Sequence, residues 1–108
     1  MSADNGVYIL LTKDTHKKIG DNTWQKTFGK GVLAFRVAHA QAIDNLEWYE
    51  REQPYNVGYY LNSVFGDSVV YYDIAAAESA ANKIARELPI LEYGVQLIER
   101  RQYSFPGL

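Results

Sequence analysis

The stretch from Ser68 to Ile98 constrains the fold of this chain most, because it reads as strand, amphipathic helix, strand. Val69, Val70, Tyr71 and Tyr72 form a β-prone run. Asp73 follows where a helix N-cap is needed. Ile74, Ala77, Ala81, Ile84, Ala85 and Leu88 then recur at helical spacing, with Glu78, Asn82, Lys83 and Arg86 mostly outward. The alanine-rich stripe lets such a helix lie close against a sheet. Pro89 ends it, since proline lacks an N–H and disfavours helix at the residue before it. Tyr93, Val95 and Leu97 alternate with Gly94, Gln96 and Ile98 as a closing strand. This unit is a scaffold and carries no chemistry.

The rest of the chain supplies partners for it. From Gly6 to Lys13 both alternating sets, Val7, Ile9, Leu11 and Tyr8, Leu10, Thr12, are mostly apolar, as in a central strand. Gly31 to Ala40 is a second strand, expected to pair antiparallel with the first because no crossover helix separates them. Between them, residues 14–31 are too long for a structureless loop. They read as a hairpin turning near Gly20-Asp21-Asn22, with a return strand from Thr23 to Phe28 and a bend at Gly29 and Gly31. Gln41 to Glu52 is weakly helical and fades before Pro54. Asn56 to Phe65 is a cleaner helix, with Asn56 as N-cap and Gly66 placed for a left-handed C-cap. The expected architecture is one α+β domain over residues 1–108. It has a mainly antiparallel sheet of four to five strands and two helices, about 56–65 and 74–88, packed on one face.

Composition narrows the function classes. The 108 residues contain no cysteine, which excludes disulfides, thiolate metal sites and a Cys nucleophile. No apolar run approaches the ~18 to 20 residues of a membrane span, and the start lacks a basic region followed by an apolar core. A soluble cytoplasmic protein is the expectation. Charge is uneven: Lys13 to Arg36 holds five Lys and one Arg against two Asp, whereas Asp44 to Glu99 holds ten acids against three bases.

No catalytic or metal-binding constellation is legible. His16 and His39 are far apart in sequence and do not have zinc-ligand spacing. His39 with Asp44 or Glu47 nearby is the single acid–base candidate, a weak signal that a structural histidine at a strand end explains better. Gly29-Lys30-Gly31 is too short to cradle a phosphate alone. The residues argue against an enzyme and imply no cofactor.

Two binding surfaces remain. Trp48, Tyr49, Glu50, Glu52, Tyr55 and Tyr59 combine aromatic rings with acids, as a protein interface with an aromatic centre and charged rim would. The same rings would also suit a homodimer contact or the core. The second surface joins Lys17, Lys18, Trp24, Lys26, Lys30, Arg36 and His39, a basic-plus-aromatic set suited to a small nucleotide or other anion. Direct DNA or RNA binding is disfavoured by the pI of about 5.6.

Ala3-Asp4-Asn5-Gly6-Val7-Tyr8-Ile9, Arg36 to Asn45, Tyr55-Asn56-Val57-Gly58, Val64 to Ser68 and Glu92-Tyr93-Gly94 resemble stretches of short uncharacterised bacteriophage and prophage proteins. The resemblance brings no activity with it. It implies an accessory factor acting in a host cytoplasm, such as one that blocks a host defence or nucleic-acid machine. The leading expectation is therefore a non-enzymatic protein that binds a host protein through Trp48 to Tyr59. The alternative is a binder of a small nucleotide or other anion through the basic hairpin, and a His39-dependent enzyme comes last.

Overall fold

A computed structural model describes residues 4–29 and 31–105. Along the described chain run β1 (Asn5–Asp14), β2 (His16–Gly20), β3 (Thr23–Lys26), β4 (Val32–Gln41), α1 (Asp44–Glu52) and α2 (Val57–Phe65). After them come β5 (Val70–Tyr71), α3 (Ile74–Glu87) and β6 (Val95–Glu99), and a 3-10 turn, Pro54–Asn56, joins α1 to α2.

Everything packs around β1. Each residue from Gly6 to Thr12 is buried, which is the outcome of apolar residues at both alternating sets. β4 pairs antiparallel along its whole length, from Asn5 opposite Gln41 to Asp14 opposite Val32. β6 pairs with the other side of β1 in parallel, Val7 opposite Val95 and Leu11 opposite Glu99. With β5 antiparallel to β4, the strand order is β5-β4-β1-β6. Two of the three pairings are antiparallel, as expected, and the parallel β1–β6 pairing makes the sheet mixed. The cause is α3: it runs from β5 across β4 and β1 to β6, and a single helix between two strands returns the chain in its original direction.

The helices occupy both faces, which corrects the expectation of two helices on one. Side chains alternate along a strand. Tyr8 and Leu10 therefore face Leu46 of α1 and Val57, Leu61 and Phe65 of α2. Val7, Ile9 and Leu11 face Ala77 and Ala81 of α3, with Phe35 and Val37. A third helix, α1, forms where only weak helical character is legible, because Leu46 is fully buried against the first cluster. Burying each large aliphatic side chain of β1 is worth about 1.5 to 3 kcal/mol.

Asp73 caps α3 as expected, accepting a hydrogen bond from Ala75 N at 3.2 Å, and Leu88 leaves the helix extended before Pro89. Ile74 of the expected stripe is 36 % exposed, so the alanines make the closest contact. Two other caps differ. Asn56 makes no capping bond; its Nδ2 donates to Gln53 Oε1 at 2.6 Å, because the 3-10 turn already leads into α2. Gly66 has right-handed φ of −60°.

The N-terminal end of β1 is stitched to the segment before β6. Val7 N donates to Gly94 O at 3.0 Å, and Tyr93 N to Asn5 O at 2.9 Å. The Tyr93 hydroxyl donates to Asp4 Oδ1 at 2.9 Å. That hydrogen bond holds the phenol proton and pushes the Tyr93 pKa up to about 12, with Glu92 and Asp44 adding repulsion to a phenolate. No described helix is long and apolar enough to cross a membrane.

Two outcomes follow. Ala81→Leu, at a position with no exposed surface, should destabilise the fold by about 1 to 3 kcal/mol through overpacking, measured as a lower urea midpoint. For Tyr93, the raised pKa means its contribution is full below the unfolded value of about 10 and fades as pH climbs towards about 12. Asp4→Asn should move one phenolate absorbance transition back towards ordinary tyrosine, and an unchanged titration would contradict the contact.

Candidate functional site

The hairpin β2–β3 forms a separate two-stranded sheet beside the main one. Its turn needs Asn22 at a φ of +56°, a left-handed conformation that asparagine tolerates. Lys18 stands opposite Trp24, so both side chains share one face. The backbone N–H of Lys18 donates to the Tyr72 hydroxyl at 2.6 Å, which ties the hairpin to the chain following β5. Gly29 and Gly31 both have a φ of +83° and make the bend into β4.

On the face of the main sheet shared by Leu10 and Arg36, Asp14 and Arg36 are 0 % and 3 % exposed and form an ion pair at 3.0 Å. Neighbouring groups support the pair. Thr12 Oγ1 donates to Asp14 Oδ1 at 2.8 Å, Arg36 Nη1 donates to Thr12 Oγ1 at 3.4 Å, and Phe105 N donates to Asp14 Oδ1 at 3.0 Å. The Arg36 guanidinium lies 4.0 Å from the centre of the Phe105 ring. Burial lowers the Arg36 pKa, and the Asp14 carboxylate opposes that shift. Arginine stays charged all the same, its intrinsic pKa being so high.

Between this pair and the hairpin lies a cavity of about 310 Å³. Lys18 and Trp24 line it from the hairpin, Arg36 and Phe105 from the sheet and the C-terminal segment, Asn62 from α2 and Ser68 from the turn after it. Gly66 and Asp67 also contribute to its wall. A Cβ on Gly66 would collide with the Asn62 carbonyl oxygen and approach its Oδ1 to 2.7 Å. Glycine is therefore required at 66 by close approach, where the sequence suggested a left-handed cap. The two guanidinium bonds to Thr12 and Asp14 engage two of the five N–H donors of Arg36.

The basic set nominated from sequence is divided by the fold. Lys18, Trp24 and Arg36 meet in the cavity. Lys26 is on the Trp24 face of the hairpin, two pairs further along, and does not line it. Lys17 points the other way, its Nζ 5.3 Å from the Tyr72 ring centre. His39 is opposite Val7, so it lies on the α3 side of the sheet from Arg36, and its Nε2 is 3.0 Å from Asn5 Nδ2. Strand alternation thus removes Lys17 and His39 from the site. Lys30 lies outside the described residues.

The acidic aromatic set is divided too. Tyr49 packs against the core with Tyr60, ring centres 5.2 Å apart. Glu50 accepts two bonds from Arg100, both 3.0 Å, which fasten α1 to the segment after β6. Trp48 is edge-on to Tyr49 and 42 % exposed, and Glu52 is exposed beside Arg51. Tyr55 and Tyr59 are 92 % and 79 % exposed. They line a groove of about 250 Å³ with Gly58 and Asn62.

Asp14, Asn62, Asp67 and Phe105 escaped the sequence reading. Asp14 had one signal: in the extended first strand it lies on the Leu10 and Thr12 face, where an acid needs a buried partner such as Arg36. No group of His, Asp or Glu among the described residues is placed to hold a metal ion. No family model matches the chain, and comparisons with curated proteins and with solved structures likewise find no match.

Removing one member of the ion pair, as in Asp14→Ala, should cost about 3 to 5 kcal/mol, because the other charge stays buried. The double variant Asp14→Leu/Arg36→Met should recover much of that in urea unfolding. Additive losses would mean that the two groups do not act as a pair.

Proposed function

We propose that this protein binds a small anionic ligand carrying a planar ring, of the nucleotide class, in the Lys18–Trp24–Arg36 cavity. One observation carries the reading: residues from the hairpin, β4, the end of α2 and the C-terminal segment converge on a single recess holding two cations and an indole. At about 310 Å³ it sits at the lower end of the ~300 to 1,000 Å³ typical of ligand sites. Lys18 and the uncommitted donors of Arg36 suit phosphate oxygens. Trp24 offers a face for stacking. Asp67 would repel a bare anion but can accept hydrogen bonds from ribose hydroxyls, which favours a nucleotide over inorganic phosphate.

The site needs no basic protein around it, because one or two phosphates respond to local charge. The chain as a whole, at net −2, is poorly suited to long nucleic acids.

A second reading keeps the exposed rings of Trp48, Tyr55 and Tyr59 as a protein interface, and the protein as a phage-type accessory factor that blocks a host machine. Its support is the exposure of Tyr55 and Tyr59. It is weakened by the commitment of Tyr49 to the core and of Glu50 to Arg100, which strips the surface of part of its acidic aromatic character.

Thermal unfolding with the four ribonucleoside monophosphates and with inorganic phosphate tests the first reading. A ligand at 100-fold excess over its Kd stabilises by about 2.7 kcal/mol, a Tm rise of several degrees at this chain length. The expected result is such a rise with at least one mononucleotide, lost in Trp24→Ala and reduced in Lys18→Ala. No shift with any of them, or an undiminished shift in Trp24→Ala, overturns it. Capture of a protein partner that Tyr59→Glu abolishes, with no nucleotide shift, would establish the second.

A further inference from the structure

The geometry points to a second ring-binding subsite on α2, so that the preferred ligand carries two bases joined by a phosphodiester; this rests on the nucleotide reading of the Trp24 cavity. Helix α2 is amphipathic, and Val57, Leu61 and Phe65 on its inner stripe are fully buried. Tyr55, Gly58, Tyr59 and Asn62 recur at i, i+3, i+4 and i+7 on another stripe, and together line the groove of about 250 Å³. Folding gives no reason for two large rings there. Tyr55 and Tyr59 leave 92 % and 79 % of their surface in solvent, and Gly58 keeps the space between them free of a side chain.

Asn62 lines both this groove and the Trp24 cavity, so the two recesses are neighbours. Its carboxamide makes no hydrogen bond with any other described residue, which leaves a donor and an acceptor at the junction. The order along the surface is then an indole and two cations in one recess, an amide at the junction, and two phenols in the next. A stacking face in each recess with donors between them is the arrangement that successive bases and their linking phosphate require. The groove alone is smaller than a typical ligand site, whereas the two recesses together fall within the usual range. Its lining carries no charge, so the second moiety it accepts is a neutral ring and not another phosphate. That chemistry separates a dinucleotide from a nucleoside polyphosphate.

Isothermal titration with three probes tests this: 5′-AMP, adenosine 3′,5′-bisphosphate and the linear dinucleotide pApA. The bisphosphate adds charge without a second base. The expected result is pApA binding about tenfold to hundredfold more tightly than either single-base probe, the gain from one more stacked base. Tyr59→Ala, with Tyr55→Ala as the companion variant, should bring pApA to within about twofold of the bisphosphate and leave AMP binding unchanged. Both are exposed, so neither substitution threatens the fold. Equal affinity for pApA and the bisphosphate overturns the second subsite while the Trp24 reading stands. A pApA preference unaltered in both tyrosine variants overturns it as well, placing the second base elsewhere. Failure of all three probes to bind overturns the underlying nucleotide reading with it.

Discussion

The burial of β1 on both faces is the constraint on which the rest of the structure depends. A strand with apolar residues at Val7, Ile9 and Leu11 and at Tyr8 and Leu10 exposes one set unless both sides are covered. One layer of helices satisfies only half of it. The chain answers with α1 and α2 over Tyr8 and Leu10, and with the alanine face of α3 over Val7, Ile9 and Leu11. α3 lies on the far side and crosses β4 and β1 before β6 pairs, and a single-helix crossover brings the last strand in parallel. One helix thus supplies both the second cover and the parallel strand.

At the end of β1 the apolar logic gives way to a buried charge. Asp14 would be costly there alone, and Arg36 on β4 would be as well. Paired at 3.0 Å, bridged by Thr12 and closed by Phe105 from the C-terminal segment, they become a joint between strands and tail. Such a pair contributes less to net stability than its contact distance suggests, since both ions lose water. What it secures is placement. The guanidinium is held against the Phe105 ring at the floor of a cavity whose other wall is the hairpin. The structural joint and the candidate site therefore share a residue.

α2 shows the same division of labour within one helix. Its inner stripe completes the core, and its C-terminal end supplies Asn62 over Gly66, at a distance that only glycine allows. Its outer stripe carries Tyr59, and the preceding 3-10 turn carries Tyr55, neither of which the core uses. Tyr49 and Tyr60, close in sequence and alike in chemistry, are drawn inward. Composition cannot separate these tyrosines, because a ring with a polar tip is at home in either place.

Sequence periodicity alone determined the elements: β1, β4, α2 and α3, the Asp73 cap, the Pro89 stop and the hairpin turn near Asn22. Each is a local matter of alternation, helical spacing or turn chemistry, so neighbouring residues carry the information. It also singled out Lys18, Trp24 and Arg36, though within a set too large by Lys17, Lys26 and His39. Only tertiary structure decided which of them meet. Whether His39 and Arg36 share a face depends on strand register, and whether Lys17 or Lys18 reaches Trp24 depends on which hairpin residues are paired. Asn62 and Phe105 line the site from positions 62 and 105, and Asp14 holds Arg36 there from position 14. No local pattern marks such a meeting, because it is made by packing between segments distant along the chain.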